Sequence, residues 1–323
     1  MSLDKNQLLQ AYRAMKTIRV FEDRISLEFK AGNIPGFVHL YAGQEAIAVG
    51  VCLGLTDEDY IASTHRGHGH CIAKGCDVKA MMLEIMGKAG GSCGGKGGSM
   101  HIADLNKGML GANAIVGGGP PLTVGAALSC KTLENGKVSV SFTGDGGSNQ
   151  GTTFEAMNLA VVLQVPAIFI FENNGYGEGT GACYAVGSND IAGRAAGFGL
   201  PAEKIDGADF FAVYTAASKA IKRARDGGGP SAIEASITRF YGHFEGDSQA
   251  YRPKGEVKRL REELDCLTIF RQKVLAEDLL NQQQLDQIDS DVEALIEEAA
   301  QQALAASYPE LTELTTHVYA SAY

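Results

Sequence analysis

Residues 138–177 read VSVSFTGDGGSNQGTTFEAMNLAVVLQVPAIFIFENNGYG, and this stretch decides the fold. Residues 138–143 carry the β-branched and aromatic side chains of a strand, and the strand stops at Gly144-Asp145-Gly146-Gly147. Residues 152–163 are helical in pattern. Residues 166–171 then form a continuous apolar run, as expected of a parallel strand covered on both faces. This second strand ends in Glu172-Asn173-Asn174-Gly175. Strand, helix and strand in direct succession make a βαβ unit. The chain is expected to be α/β, with a parallel sheet flanked by helices on both faces.

Upstream, Leu8, Tyr12, Met15, Ile18, Phe21, Ile25 and Phe29 recur every three or four positions. They predict one apolar stripe on an N-terminal helix over 4–30, closed by Gly32. Residues 44–53 read as a second helix, and 60–63 as a short strand leading into a polar loop over 65–70. Residues 87–121 are rich in glycine. A linker would favour Ser and acidic residues, whereas Met100, Ile102, Met109, Leu110, Ile115 and Val116 interrupt this segment, so it is expected to be packed. Downstream, 231–238 is a strand, and the chain turns helical over 256–307. Asn281 with Gln284 has the spacing of a capping box. The simplest organisation is one domain over 1–323 with N- and C-terminal helical additions.

With 323 residues, 45% hydrophobic and 20% charged, the composition is that of a globular chain. Its net charge of −10 disfavours nucleic acid as a partner. No apolar stretch approaches the ~18 residues of a membrane span. The first ten residues are charged and polar where a signal peptide would be apolar. Seven scattered cysteines without a CxxC pair suggest reduced thiols. A cytoplasmic protein is expected.

Asn174 follows Asp145 by one βαβ step, so both strand ends face the crevice where doubly wound sheets bind ligands. The glycines beside Asp145 let the backbone approach a ligand, and their N–H groups together with the next helix N-terminus favour an anion. Asp145 puts negative charge in the same place. A cation between the carboxylate and a diphosphate resolves the conflict, and magnesium takes such oxygen ligands. Asn174 adds an amide oxygen, and a backbone carbonyl near Gly175 or Tyr176 another. The rival is a dinucleotide site, with Gly144-x-Gly146 after a strand and Glu172 at the end of the next. Asn149 stands where that fingerprint needs Gly or Ala. His65, His68, His70 and Cys71 have the composition of a zinc cluster but no standard spacing. An anion-binding loop centred on Arg66 is the better reading.

Six ordered blocks carry a resemblance that spans essentially the whole chain. They are GFVHLYAGQEA (36–46), THRGHG (64–69), KGGSMHIAD (96–104), GANAIVGGGPPL (111–122), the GDG…NN segment quoted above, and TRFYGHFEGDSQAYR (238–252). Together they resemble the α subunits of thiamine-diphosphate-dependent E1 components of 2-oxo acid dehydrogenase complexes, and within that family the branch that acts on acetoin. The resemblance implies that Asp145, Asn174 and the Tyr176 carbonyl hold Mg2+, and that Arg66 and the amides of Gly146 and Gly147 hold the diphosphate. It implies backbone contact from Val116 to the aminopyrimidine, and places His39 and His243 at the reaction centre, with His243 also reaching the diphosphate. There are two departures from the family pattern. His65 stands where the family often has Tyr, and Ala114 where the pyrimidine loop often has Gly. Both are kept as cofactor-binding candidates.

Thiamine chemistry also needs a carboxylate against the pyrimidine ring. Glu45 is a conceivable local source, but the family draws it from the β subunit. The resemblance therefore implies an α2β2 heterotetramer that cleaves acetoin, releases acetaldehyde and passes the acetyl-level fragment to a lipoyl arm on an E2 acyltransferase, leading to acetyl-CoA. The alternative is an α subunit acting on pyruvate or a branched-chain 2-oxo acid. The loop 240–247 offers Phe240, Tyr241, Phe244, Glu245 and Asp247 around His243, with Arg239 and Arg252 at its edges. Such a loop is expected to disfavour an anionic substrate and so to favour acetoin.

Overall fold

The computed structural model describes residues 3–320, so the ends of the expected 1–323 unit lie outside the described residues. The N-terminal helix is α1 (Lys5–Lys30). Asp4 caps it, its carboxylate accepting from the Gln7 amide while the Gln7 side chain accepts from the Asp4 amide. The stripe from Leu8 to Ile25 is buried as its spacing demands. Then come α2 (Glu45–Cys52), β1 (Tyr60–Ala62), α3 (Gly67–Ala73) and α4 (Val78–Ile85). They lead to β2 (Met109–Gly111), α5 (Gly119–Thr132), β3 (Ser139–Gly144), α6 (Gly151–Leu163) and β4 (Ala167–Asn173). A small antiparallel pair follows, β5 (Tyr176–Gly177) and β6 (Thr180–Gly181), then α7 (Ala182–Ala185) and α8 (Ile191–Gly197). β7 (Ala202–Asp206), α9 (Phe210–Arg225) and β8 (Ser231–Ser236) complete the sheet. α10 (Glu256–Glu263), α11 (Cys266–Ala276) and α12 (Gln282–Ala305) form the C-terminal helical region.

Six strands make one parallel sheet in the order β2-β1-β3-β4-β8-β7. β4 shows why its sequence is apolar throughout. Ile168 and Ile170 face one core, shared with α1, α2, α9, α11 and α12. Ala167, Phe169 and Phe171 face a second core, shared with α5, α6 and α8. The period-two alternation of a strand divides one apolar run between two layers. The register pairs Gly144 with Glu172, which sets Asp145 beside the Asn173-Asn174 end. α12 begins at the expected capping box of Asn281 and Gln284.

The expected polar loop at 65–70 is instead largely helical, because α3 starts at Gly67. Its two glycines lower intrinsic helix propensity, but packing requires them. A Cβ on Gly69 would lie 2.0 Å from the Tyr41 ring, and one on Gly67 would lie 2.5 Å from Ala112 Cβ. The glycine-rich segment is tied down by Glu84. This fully buried carboxylate accepts from the amides of Cys93, Gly95, Gly97 and Gly98 at 2.7–3.1 Å. Among the described residues no helix is long and apolar enough to cross a membrane.

Candidate active site

A cavity of about 300 Å³ opens beyond the carboxyl ends of β1, β3 and β4. Its floor is the turn from Gly144 to Gly147, from which α6 departs after Gln150. Ser148 Oγ donates to the Asp145 carbonyl at 2.6 Å, and Arg194 of α8 clamps Ser148 and Asn149 at 2.7 Å. Gly177 closes over Gly146 so tightly that a Cβ on either would approach the other's Cα to 3.2–3.4 Å. The Asp145 side chain is thereby sealed, with the residue 2% exposed. Burial raises its pKa to about 6, opposed by nearby backbone amides and by Arg239 and Arg66. A cation at this carboxylate would restore its charge.

Asn174 lies beside it. Its Nδ2 donates to Oε1 of the buried Gln44 at 3.1 Å, and its Oδ1 faces the Tyr176 amide at 3.4 Å. Gln44 thus fixes which end of the amide is available as an oxygen ligand. The Tyr176 carbonyl already accepts from Arg239 Nη1 at 3.1 Å, which leaves it one lone pair.

Two guanidiniums lie at the cavity wall. Arg66, 4% exposed, donates to the carbonyls of Leu40 and His243 at 3.0 and 2.7 Å. Arg239, 1% exposed, donates to the Tyr176 and Glu178 carbonyls and to the Tyr251 hydroxyl. Among the described residues no carboxylate comes within ion-pair distance of either. Burial, then the neighbouring charge of Arg239, pulls Arg66 down to about 9, and burial lowers Arg239 as well. Buried charges are normally paired, and these two guanidiniums face the cavity with no opposite charge paired to them among the described residues.

The rings of His39, His65 and His243 meet at centroid distances of 4.6–5.2 Å. Burial, with Arg66 next in each case, lowers His39 to about 3, His243 to about 4, and His65 well below its usual value. All three are neutral imidazoles at pH 7. His68 and His70 do not join them. His68 bridges Glu22 and Ser99, while His70 bridges Ser63 and Glu172. Two of the four residues that suggested zinc are thus spent on core hydrogen bonds, and His65 lies apart from them with His39 and His243.

Of the residues singled out from the sequence, His65, Arg66, Val116, Asp145, Gly146, Gly147, Asn174, Tyr176 and His243 line the cavity. His39 lies behind His65 and His243, and Ala114 sits in the loop between the lining residues Asn113 and Ile115. Glu45 is elsewhere: it is fully buried and held by Arg19 in two contacts of 2.6 and 3.0 Å. The loop around His243 also differs from expectation. Glu245 turns away to Ser26, Asp247 accepts from the His243 amide and Tyr251, and Arg239 points inward. The cavity wall is therefore cationic at this loop, because buried backbone carbonyls recruit the arginine and local donors use up the acids. Arg239, Gln44 and Glu172 were not among the candidates. Only the position of Glu172 and Arg239 at the edges of quoted motifs hinted at them.

A sequence model of the family described as "Dehydrogenase E1 component" matches residues 13–312. The chain belongs to that family. As an E1 chain it is part of a thiamine-diphosphate-dependent dehydrogenase. It is 56% identical over 319 residues to the alpha subunit of acetoin:2,6-dichlorophenolindophenol oxidoreductase of Cupriavidus necator, covering 99% of this chain and 96% of that protein. It is 53% identical to the subunit of the same name in Bacillus subtilis, covering 99% and 96%. Identity to the pyruvate dehydrogenase E1 component subunit alpha of Rhizobium meliloti is 37%, covering 97% and 90%.

Proposed function

We propose that this chain is the α subunit of an acetoin dehydrogenase E1 component, and that it holds the diphosphate of thiamine diphosphate through a magnesium ion. The observation that carries the reading is the pair of buried, unpaired guanidiniums, Arg66 and Arg239, set around the sealed carboxylate of Asp145. A bare diphosphate would satisfy the arginines but repel Asp145, whereas a magnesium diphosphate satisfies both. Asp145 and Asn174 would hold the metal, with the free lone pair of the Tyr176 carbonyl as a third ligand. Arg66 and the amides of Gly146 and Gly147 would hold the phosphates, with Arg239 and His243 close by. Val116, Ala114 and His65 border the space left for the rings. When bound, the cofactor supplies the electron sink for carbon–carbon cleavage.

The substrate assignment draws on the two acetoin-named relatives, which stand well above the pyruvate-named one in identity. One feature favours the second reading, a pyruvate or branched-chain 2-oxo acid E1: Arg239 faces the cavity and suits a carboxylate. The β subunit enters the proposal through the cavity mouth. Ile115 and Val116 are 72% and 48% exposed there, and Leu122, Leu159 and Val162 on α5 and α6 add exposed apolar surface. A β subunit would cover this face and bring the pyrimidine carboxylate that Glu45, spent on Arg19, does not offer. An α2β2 assembly, a lipoyl-bearing E2 partner and a cytoplasmic location complete the reading. For the last, the support is seven free cysteines.

The test is dye reduction by the chain co-expressed with its β subunit, with thiamine diphosphate and Mg2+. Acetoin should give the higher kcat/KM, and the isolated chain should be inactive. Equal or better use of pyruvate overturns the substrate assignment. Failure to bind the cofactor in calorimetry overturns the site.

A further inference from the structure

A histidine kept for structure spends its ring nitrogens on partners. His68 and His70 do so with both nitrogens. His243 Nδ1 lies 3.2 Å from Arg66 and 3.4 Å from Arg239. His39 is buried behind the cavity wall. His65 lines the cavity, yet makes no hydrogen bond from either nitrogen to another described side chain or backbone group. It touches the rings of His39 and His243, and one nitrogen from each of the three rings lies within 4.8 Å of the others.

The two candidate substrates differ in one proton. A 2-oxo acid loses CO2 from a group that is already ionised. Acetoin must lose acetaldehyde, and its leaving carbon carries a neutral hydroxyl, so a base has to remove that proton as the bond breaks. Resting on the acetoin reading above, we propose that His65 is the general base for this step. The hydroxyl proton on C3 moves to a free ring nitrogen of His65. The O–H electron pair becomes the second C–O bond of acetaldehyde. The C2–C3 pair stays with the two-carbon fragment, for which a bound thiamine diphosphate would supply the electron sink. His65 then returns its proton to solvent, matching the proton that the C2 oxygen took up when it was attacked. The two-carbon fragment is oxidised afterwards by the lipoyl disulfide or the dye.

The groups acting on His65 are Arg66, His39, His243 and Arg239, and all of them disfavour its protonation, as burial does most strongly. The ring is therefore in its basic form at neutral pH.

The test uses the α2β2 holoenzyme carrying His65→Gln, His65→Tyr or His65→Ala, with acetoin and with pyruvate. Acetoin turnover should fall by about 10²-fold, the usual worth of a positioned base, and far more than pyruvate turnover. Free imidazole should restore part of the acetoin activity of His65→Ala. The acid limb of its acetoin pH profile should flatten. In calorimetry, affinity for magnesium and thiamine diphosphate should fall far less than acetoin turnover, since His65 borders the space left for the rings without holding the metal. Equal losses with both substrates, or no loss with either, overturn the proposal. So does a loss that follows a weakened cofactor affinity. If the wild-type enzyme does not use acetoin, the substrate reading fails first and this proposal with it, before any variant is made.

Discussion

Two regions of this chain bury comparable polar side chains and use them in opposite ways. Beneath α1, α3 and α4 the buried acids are fully engaged. Glu84 takes four backbone amides, Glu22 takes the Tyr41 amide and His68, and Glu45 takes Arg19 and the Gly43 amide. Across the sheet ends, Arg66 and Arg239 meet only neutral partners, and His39 Nδ1, Gln44 Nε2, Thr143 Oγ1 and Arg239 Nε have none. A buried polar group without a partner costs about 1–3 kcal/mol, more when charged. Natural folds tolerate such a cluster where a ligand completes it. A few hydroxyls of the sheet interior, such as those of Ser139, Ser141 and Ser231, also lack partners, so the contrast lies in the charged groups: the buried acids of the scaffold are engaged, and the guanidiniums at the cavity meet no opposite charge at ion-pair distance among the described residues.

The contrast breaks most sharply at Asp145. Asp145→Ala should abolish magnesium-dependent binding of thiamine diphosphate, a loss of at least about 3 kcal/mol by analogy with removing one partner of a buried charge pair. Calorimetry that finds the affinity unchanged would mean that the unsatisfied region is not the cofactor site. On the scaffold side, Glu45→Ala leaves the Arg19 guanidinium with Asp265 as its one carboxylate partner among the described residues. It should cost about 3 kcal/mol of stability in denaturant unfolding while cofactor affinity holds. A variant that is stable but inactive would instead return Glu45 to the reaction.

Arg66→Gln keeps a donor for the Leu40 carbonyl and removes the charge. Cofactor affinity should fall by about 2 kcal/mol, or roughly 30-fold, the worth of a hydrogen bond to a charged group. A smaller loss than from the same change at Arg239 would make Arg239 the main phosphate contact. An effect of similar size concerns the ligand-free chain. Asp145 titrates near 6 when folded, against an ordinary 3.8. A raised carboxylate pKa means the folded state holds the proton more tightly, so its stabilising share is full below about pH 4 and is lost as pH rises through 6. At pH 7 the ligand-free Asp145→Asn variant should therefore be more stable than wild type by about 2 kcal/mol. Magnesium and cofactor should reverse that order. Equal thermal unfolding curves for the two proteins from pH 4 to 7 would show that burial at Asp145 carries no strain.

Much of this architecture is local in origin. The stripe on α1, the two capping boxes, and the β3–α6–β4 unit follow from side-chain period and from residues within four positions of one another. That unit sets Asp145 and Asn174 side by side, so their juxtaposition was legible from spacing along the chain. α3 was not, because its glycines argue against a helix until Tyr41 and Ala112 press against them. The inward turn of Arg239 was hidden as well. Its partners at Tyr176 and Glu178 lie 63 and 61 positions away.

The amino-acid order by itself determined a parallel α/β sheet and a pair of strand ends chemically suited to a metal-bridged anion. Only the tertiary structure decided which polar residues are already satisfied. His65 is free to bond and His70 is not, though both belong to the same short histidine-rich stretch, because Ser63 and Glu172 converge on one ring while no described residue hydrogen-bonds to the other. The physical reason is range. Backbone propensity and apolar period are properties of near neighbours, whereas the satisfaction of a buried polar atom depends on whatever the fold brings within 3 Å of it, such as His243 at Arg66 from 177 residues away.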